Sequence, residues 1–237
     1  MLYLARIGRT LRSLLRDKKQ PIQVDVLIGY AQWAKRYPAK AHNALMEIEE
    51  RAMLSLLPHD LSDQCCLDLA CGSGRYLLLM QDRQARQIFG LDYSAHMLAQ
   101  ARDTNEAFNL TQCPFLALPF AAETFDLITC GLAVGHDSNL KGIIAEAARL
   151  LRPGGLFIYS DFHPFATLAG WERSFTGENG ATFKLEHYLH LYTDHQQACQ
   201  QAGLAIDAVL EPRAGEHAPA GFQDWPVVLV IRAVKTA

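Results

Sequence analysis

The residues best suited to chemistry cluster in one run, Cys65-Cys66-Leu67-Asp68-Leu69-Ala70-Cys71-Gly72-Ser73-Gly74-Arg75-Tyr76. An apolar stretch ends in an acid and is followed by a turn of small residues. Gly72 and Gly74 let backbone approach a ligand closely, and a helix that starts behind them presents unpaired N–H groups. A dinucleotide fingerprint would need glycine at position 77, where Leu77 stands, and the G-K-[ST] of a phosphate-cradling loop is missing. The turn therefore suits a nucleoside ligand with no demonstrable phosphate requirement, although a plain strand-to-helix turn explains the same residues. Asp92 ends a second apolar stretch 18 residues after Gly74. A carboxylate there can accept hydrogen bonds from both ribose hydroxyls. His136 and His163 follow later apolar stretches. Histidine titrates near neutrality, so each is a candidate base, against the ordinary reading of a structural histidine at a strand end.

Residues 163–190 carry Trp171, Phe175, Phe183, His187 and His190 with no clear period. His187 and His190 are spaced for one helical face, but no H-x-x-x-H pair or nearby Cys accompanies them, so lid aromatics explain the stretch better than a metal site. The six Cys, at 65, 66, 71, 113, 130 and 199, form neither a CxxC pair nor a zinc spacing. No metal is expected. Reduced core thiols in a cytoplasmic protein are the better reading of them.

These groups need a scaffold, and the hydrophobic pattern supplies one. Apolar strands are expected at 64–69, 87–91, 110–117, 125–132, 156–161, 204–210 and 226–234, with Cys113-Pro114 making the third irregular. Between them the period lengthens to helical from Arg75, over 95–107 behind a Ser94 N-cap, and over 139–151 up to Arg152-Pro153-Gly154-Gly155. Thr193 and Gln196 read as a capping box for a helix that Gly203 closes. Residues 24–57 are helical in pattern and carry Tyr30, Trp33 and Tyr37. Strands alternating with helices imply an α/β protein with a parallel sheet covered on both faces.

Four blocks in order are similar to the class I S-adenosylmethionine-dependent methyltransferases. They are Leu67–Gly74, Gly90-Leu91-Asp92-Tyr93-Ser94, Leu118-Pro119-Phe120 with Phe125-Asp126-Leu127-Ile128, and Leu151-Arg152-Pro153-Gly154-Gly155. Within that family the chain resembles the small-molecule branch that includes the ubiquinone/menaquinone and biotin-pathway enzymes. The resemblance implies a Rossmann-like, doubly wound, seven-stranded, mostly parallel sheet whose last strand is antiparallel. It implies S-adenosyl-L-methionine as cofactor. Asp68, Gly72 and Gly74 then bracket its methionine end, with Ala70 in place of the commoner first glycine. Asp92, followed by Tyr93, matches the ribose-binding acid. Leu116 and Ala117 match the loop flanking adenine, where Cys113 and Pro114 stand instead of the usual acid. Cys130 and Gly131 match the strand end that meets the methionine portion, and Tyr37 belongs to an amino-terminal helix closing over the cofactor. Trp171, Phe175, His187, His190 and Arg213 fall where this family builds acceptor-binding walls, though a solvated surface residue is the default reading of Arg213.

The chain has 237 residues, half of them hydrophobic, and a formal charge of −3. Such a composition buries a core and argues against disorder. Residues 1–20 hold six basic side chains and one acid, leaving −8 on the remainder. That balance disfavours nucleic acid as a partner. Leu4, Ile7, Leu11, Leu14 and Leu15 place the basic run on an amphipathic helix, a candidate for peripheral membrane or partner contact. The expected organisation is that helix at 1–20 and a domain at 21–237 with cap helices at 21–58 and a lid at 163–190. The expected activity is methyl transfer to a small, apolar acceptor. The alternatives are a non-catalytic cofactor-binding module and a methyltransferase for RNA or protein. The oligomeric state is not legible.

Overall fold

The computed structural model describes residues 21–177, 180–217 and 221–236. The basic run at 1–20, with its expected helix and membrane contact, lies outside the described residues.

The central sheet contains β2 (Cys65–Leu69), β3 (Gln87–Asp92), β4 (Asn109–Gln112), β5 (Phe125–Cys130), β6 (Leu151–Phe162), β9 (Leu204–Leu210) and β10 (Val228–Lys235). Their order is β4-β3-β2-β5-β6-β10-β9. Only β10 runs antiparallel to its neighbours, as expected. Strand residues alternate between the two faces. Cys65, Leu67 and Leu69 join the core under α5 (Leu140–Leu150) and α7 (Tyr192–Gln201). Cys66, Leu127 and Ile158 join the core under α2 (Ala44–Leu56) and α3 (Arg75–Asp82). A fifth helix, α4 (Ala95–Thr104), buries Met97, Leu98 and Ala101.

Several boundaries differ from the sequence pattern for local reasons. The helical stretch 24–57 divides into α1 (Val26–Trp33) and α2, separated by a 3₁₀ turn and Pro38. Asp25 caps α1 by accepting from the Leu27 N–H at 2.8 Å, and Asn43 caps α2 by accepting from the Met46 N–H at 3.0 Å. β4 stops at Gln112, before Cys113-Pro114. β6 begins at Leu151, which pairs with Phe125; pairing resumes at Leu156 opposite Leu127, and Arg152–Gly155 bulge out between. Helix α7 starts at Tyr192, and it is Asp194 that accepts from the Leu191 N–H at 2.8 Å, so Thr193 and Gln196 do not form the capping box.

The aperiodic stretch after β6 also has structure. It forms α6 (Pro164–Leu168), β7 (Ser174–Thr176) and β8 (Thr182–Leu185). β8 pairs antiparallel with β7 and parallel with β1 (Ile22–Val24), a strand the sequence pattern did not predict. Trp33 stacks on Phe175 with centroids 4.8 Å apart, and Phe175 on Phe183 at 5.4 Å. This second, small sheet and α1 pack together as a roof.

Candidate active site

In an open parallel sheet, the crevice lies where the strand order reverses, beyond the carboxyl ends of the strands. Here that point is β2, which pairs with β3 on one side and β5 on the other. A cavity of 440 Å³ opens there. Its floor is built from the ends of β2, β3 and β5, and its roof from α1 and the segment around Arg173, Glu186 and Tyr188.

The floor is tightly specified. Asp68 is 1% exposed and its Oδ1 accepts a hydrogen bond from the Thr129 hydroxyl at 2.7 Å. Burial pushes its carboxyl up to about 7, against the opposing pull of that hydroxyl and of Arg75. Asp92 accepts the Gly72 N–H on Oδ2 at 2.8 Å and the Ser94 N–H on Oδ1 at 2.7 Å. Burial raises its carboxyl to about 6 despite those backbone donors. Each Asp92 oxygen thus retains a lone pair for a further donor. Gly72 has φ +55°, and a Cβ on it would stand 3.2 Å from the Met97 Cε. Ala70, at φ +60°, holds the same left-handed backbone with a side chain.

One buried carboxylate ties this floor together. Glu49 on α2 is fully buried and accepts from the Tyr76 hydroxyl at 2.8 Å and the Ser160 hydroxyl at 2.7 Å. Its other oxygen pairs with the Arg75 guanidinium at 2.8 Å. Ser160 Oγ in turn accepts the Leu132 N–H at 2.8 Å. Leu132, just past β5, is held at φ +54° by that bond below and by Arg173, which donates to its carbonyl, above. Gly131 has no room for a side chain, since a Cβ would meet Tyr76 Cε2 at 2.4 Å and Glu49 Oε1 at 3.1 Å.

Residues 67–159 match the family described as "Methyltransferase domain". Over these residues the chain is similar to methyltransferase domains. Among curated proteins, the chain is 34% identical over 135 residues to the malonyl-[acyl-carrier protein] O-methyltransferase of Enterobacter lignolyticus, covering 57% of this chain and 52% of that one. It is 38% identical over 104 residues to the 2-phytyl-1,4-naphtoquinone methyltransferase of Thermosynechococcus vestitus, covering 41% and 46%. The chain spans about half the length of the curated relatives it matches. Its fold resembles that of an S-adenosylmethionine dependent methyltransferase from Mesorhizobium loti, with a TM-score of 0.66 at 21% identity over 79% of this chain and 97% of the other.

This floor fits S-adenosylmethionine, the cofactor named for the fold neighbour. The Ser73 hydroxyl lines the cavity, is buried and has no protein partner among the described residues, as expected of a group awaiting a polar ligand. Asp92 would take the ribose hydroxyls on its free lone pairs. The Gly72 backbone and the Gly131–Leu132 backbone would take the methionine portion. Tyr37, Asp68, Ala70, Gly72, Asp92, Tyr93 and Gly131 all line the cavity. Gly74, at φ +95°, caps α3 behind the loop, and a Cβ there would stand 3.0 Å from Phe108.

Other expected site residues are placed elsewhere. Cys130 is buried in the core below the cavity. Leu116 and Ala117 are exposed outside it, and Cys113, Pro114 and Phe115 form that wall instead. His136 does line the cavity, but its Nε2 already accepts from the Tyr30 hydroxyl at 3.0 Å. His163 does not reach the cavity: its Nδ1 caps α6 by accepting the Phe165 N–H at 3.2 Å, and its Nε2 meets Glu211 at 3.2 Å. None of the five expected acceptor-wall residues lines the cavity. Phe175 is core of the small sheet. Trp171 packs near Phe222 at 6.1 Å. His187 pairs with buried Asp161 at 3.0 Å, and His190 bonds the Asp137 carbonyl at 3.0 Å. Arg213 is a surface residue paired with Asp224 at 3.1 Å. Four of the five lie in the expected lid at 163–190 and Arg213 in the loop before β10, and the contacts just given engage them away from the cavity. Sequence reasoning missed Arg173 and the Glu49–Arg75 pair. A lone Arg in an aperiodic stretch and a helical Glu carry no local signal.

Proposed function

We propose that the protein transfers the methyl group of S-adenosylmethionine to a small, apolar acceptor by in-line displacement, releasing S-adenosylhomocysteine. The observation that carries this reading is the roofed cavity, where Asp92, the glycine turn and the end of β5 converge on one volume of 440 Å³. When bound, the cofactor supplies a methyl already activated on a sulfonium. Alignment then contributes most of the rate, about 7–11 kcal/mol for well-oriented groups. Asp92 fixes the ribose and the clamped Leu132 fixes the strand end. Tyr30, Tyr37 and Tyr188 line the side opposite the sheet, and with the cofactor seated they would limit water at the methyl. A roofed volume of this size falls within the roughly 300–1,000 Å³ of small-molecule sites. It supports a small acceptor over a folded RNA, and the curated relatives named above act on small or carrier-bound molecules by their names. A cytoplasmic setting accords with the described cysteines being free thiols, five of the six buried. Among the described residues no helix is long and apolar enough to cross a membrane.

The test is twofold. Titration calorimetry is expected to show binding of S-adenosylmethionine and S-adenosylhomocysteine and none of NADH. Incubation with methyl-labelled cofactor and a panel of phenolic, quinol and fatty acceptors is expected to label at least one. Binding without transfer to any acceptor would favour a non-catalytic module instead.

A further inference from the structure

A polar chain in the roof links Tyr30, His136 and Arg173. The Tyr30 hydroxyl lies 3.0 Å from Nε2 of His136, and Nδ1 of His136 lies 3.0 Å from the Glu186 carbonyl. A carbonyl can only accept, so Nδ1 carries the ring proton. Burial, followed by the Arg173 cation, pulls His136 well below the ordinary histidine range, so the ring is neutral and Nε2 is a lone pair. The Tyr30 O–H must therefore donate to it. Arg173 donates to the Tyr30 oxygen at 3.1 Å and to the Leu132 carbonyl. Tyr30 is left with one free lone pair, and Tyr30, His136 and Arg173 all line the cavity. No carboxylate among the described residues pairs with Arg173.

From this arrangement we infer that Tyr30 receives the proton of a phenolic or enolic acceptor while passing its own to His136, with Arg173 holding the resulting oxyanion. The inference rests on the methyl-transfer reading and names its acceptor class. The acceptor O–H bond breaks and its proton joins the Tyr30 oxygen as the Tyr30 proton moves to Nε2. The acceptor oxygen bonds the methyl as the sulfur–methyl bond breaks. The positive charge lost by sulfur is the one His136 gains, so the cavity's net charge is unchanged. Phenols and enols suit the relay because their hydroxyl protons are far more acidic than an ordinary alcohol's, and Arg173 makes a nearby hydroxyl more acidic still. Behind His136 stands His187, its ring 6.3 Å away and paired with Asp161 at 3.0 Å. Arg173 and His187 disfavour charge on His136, while Asp161 and the new oxyanion favour it.

The full-length protein saturated with S-adenosylhomocysteine is titrated with 4-nitrophenol, whose absorbance reports its ionisation, and ¹⁵N spectra of labelled histidine read His136. The expected result is a probe that ionises on binding, with an acidity constant raised about tenfold or more, while His136 becomes protonated on both nitrogens. In Tyr30→Phe the probe is expected to lose that gain and His136 to stay singly protonated. In Arg173→Gln the ionisation is expected to weaken while His136 keeps its tautomer. Thermal melts of both variants check the fold. The inference is overturned if the probe binds un-ionised, if it ionises while His136 stays neutral, or if it fails to bind a protein that holds S-adenosylhomocysteine. Failure of S-adenosylhomocysteine itself to bind would instead remove the methyl-transfer reading.

Discussion

Asp68→Asn should make the protein more stable and a poorer cofactor binder at once. Asp68 is nearly inaccessible, and burial moves its carboxyl from the ordinary 3.8 to about 7. A folded-state value above the unfolded one means that the folded protein holds the proton more tightly. The stabilisation is full below about pH 4 and is lost as pH rises towards 7 and beyond. Three pKa units correspond to about 4 kcal/mol, and water entering the cavity lowers this to about 2–4 kcal/mol at pH 8. Asparagine keeps the oxygen that accepts from Thr129 at 2.7 Å and carries no charge. Urea unfolding of parent and variant, without cofactor, at pH 4.5 and pH 8 measures the effect. The expectation is a variant more stable by at most about 1 kcal/mol at the lower pH and by about 2–4 kcal/mol at the higher. A variant no more stable than the parent at pH 8 would refute the claim that this carboxylate is buried against its solvation.

Gly131→Ala, which forces a Cβ to within 2.4 Å of Tyr76, is expected to lower stability by about 1–3 kcal/mol and to weaken cofactor binding, read by thermal melting with and without S-adenosylhomocysteine. Glu49→Gln leaves Arg75 short of its buried partner at 2.8 Å and should cost about 3–5 kcal/mol in denaturant unfolding. Because burial raises Asp92 to about 6, S-adenosylhomocysteine should bind more weakly as pH falls through 6 and an acceptor oxygen is lost to the proton; affinity measured from pH 5 to 8 should show this, and Asp92→Asn should flatten it. His163→Ala should lower stability by about 0.5–2 kcal/mol through loss of the α6 cap, leaving S-adenosylhomocysteine affinity within twofold of the parent.

The sheet was legible because its signals are local. Cys65, Leu67 and Leu69 alternate with Cys66 across β2, and an N-cap such as Ser94, whose Oγ accepts the Met97 N–H at 3.3 Å, announces its helix. The lining of the cavity's floor was legible for the same reason, since Asp68 and Asp92 lie at the ends of β2 and β3 and Gly72 in the turn between. The roof was not. β1 forms only by pairing Ile22–Val24 with Phe183–Leu185, 161 residues along the chain, and its exposed pattern gives no periodicity. The relay joins Tyr30 to His136 across 106 residues and Arg173 to Tyr30 across 143. His163 and His187 looked chemical by residue type, but a helix cap and a buried Asp161 pair are their partners. Residue type and spacing indicate what a side chain can do; only the long-range pairing decides which cavity it faces.

The most direct test of the central claim is calorimetric titration of S-adenosylhomocysteine into the parent and Asp92→Asn proteins at pH 7.5. Asp92 places one acceptor oxygen on Gly72 N–H at 2.8 Å and is the proposed ribose ligand. Loss of a charged hydrogen-bond acceptor costs about 1.5–3 kcal/mol, so binding to the variant should weaken by roughly 10- to 150-fold. One-to-one binding to the parent with that loss in the variant is the predicted result. No binding to the parent, or equal binding to both, would contradict it.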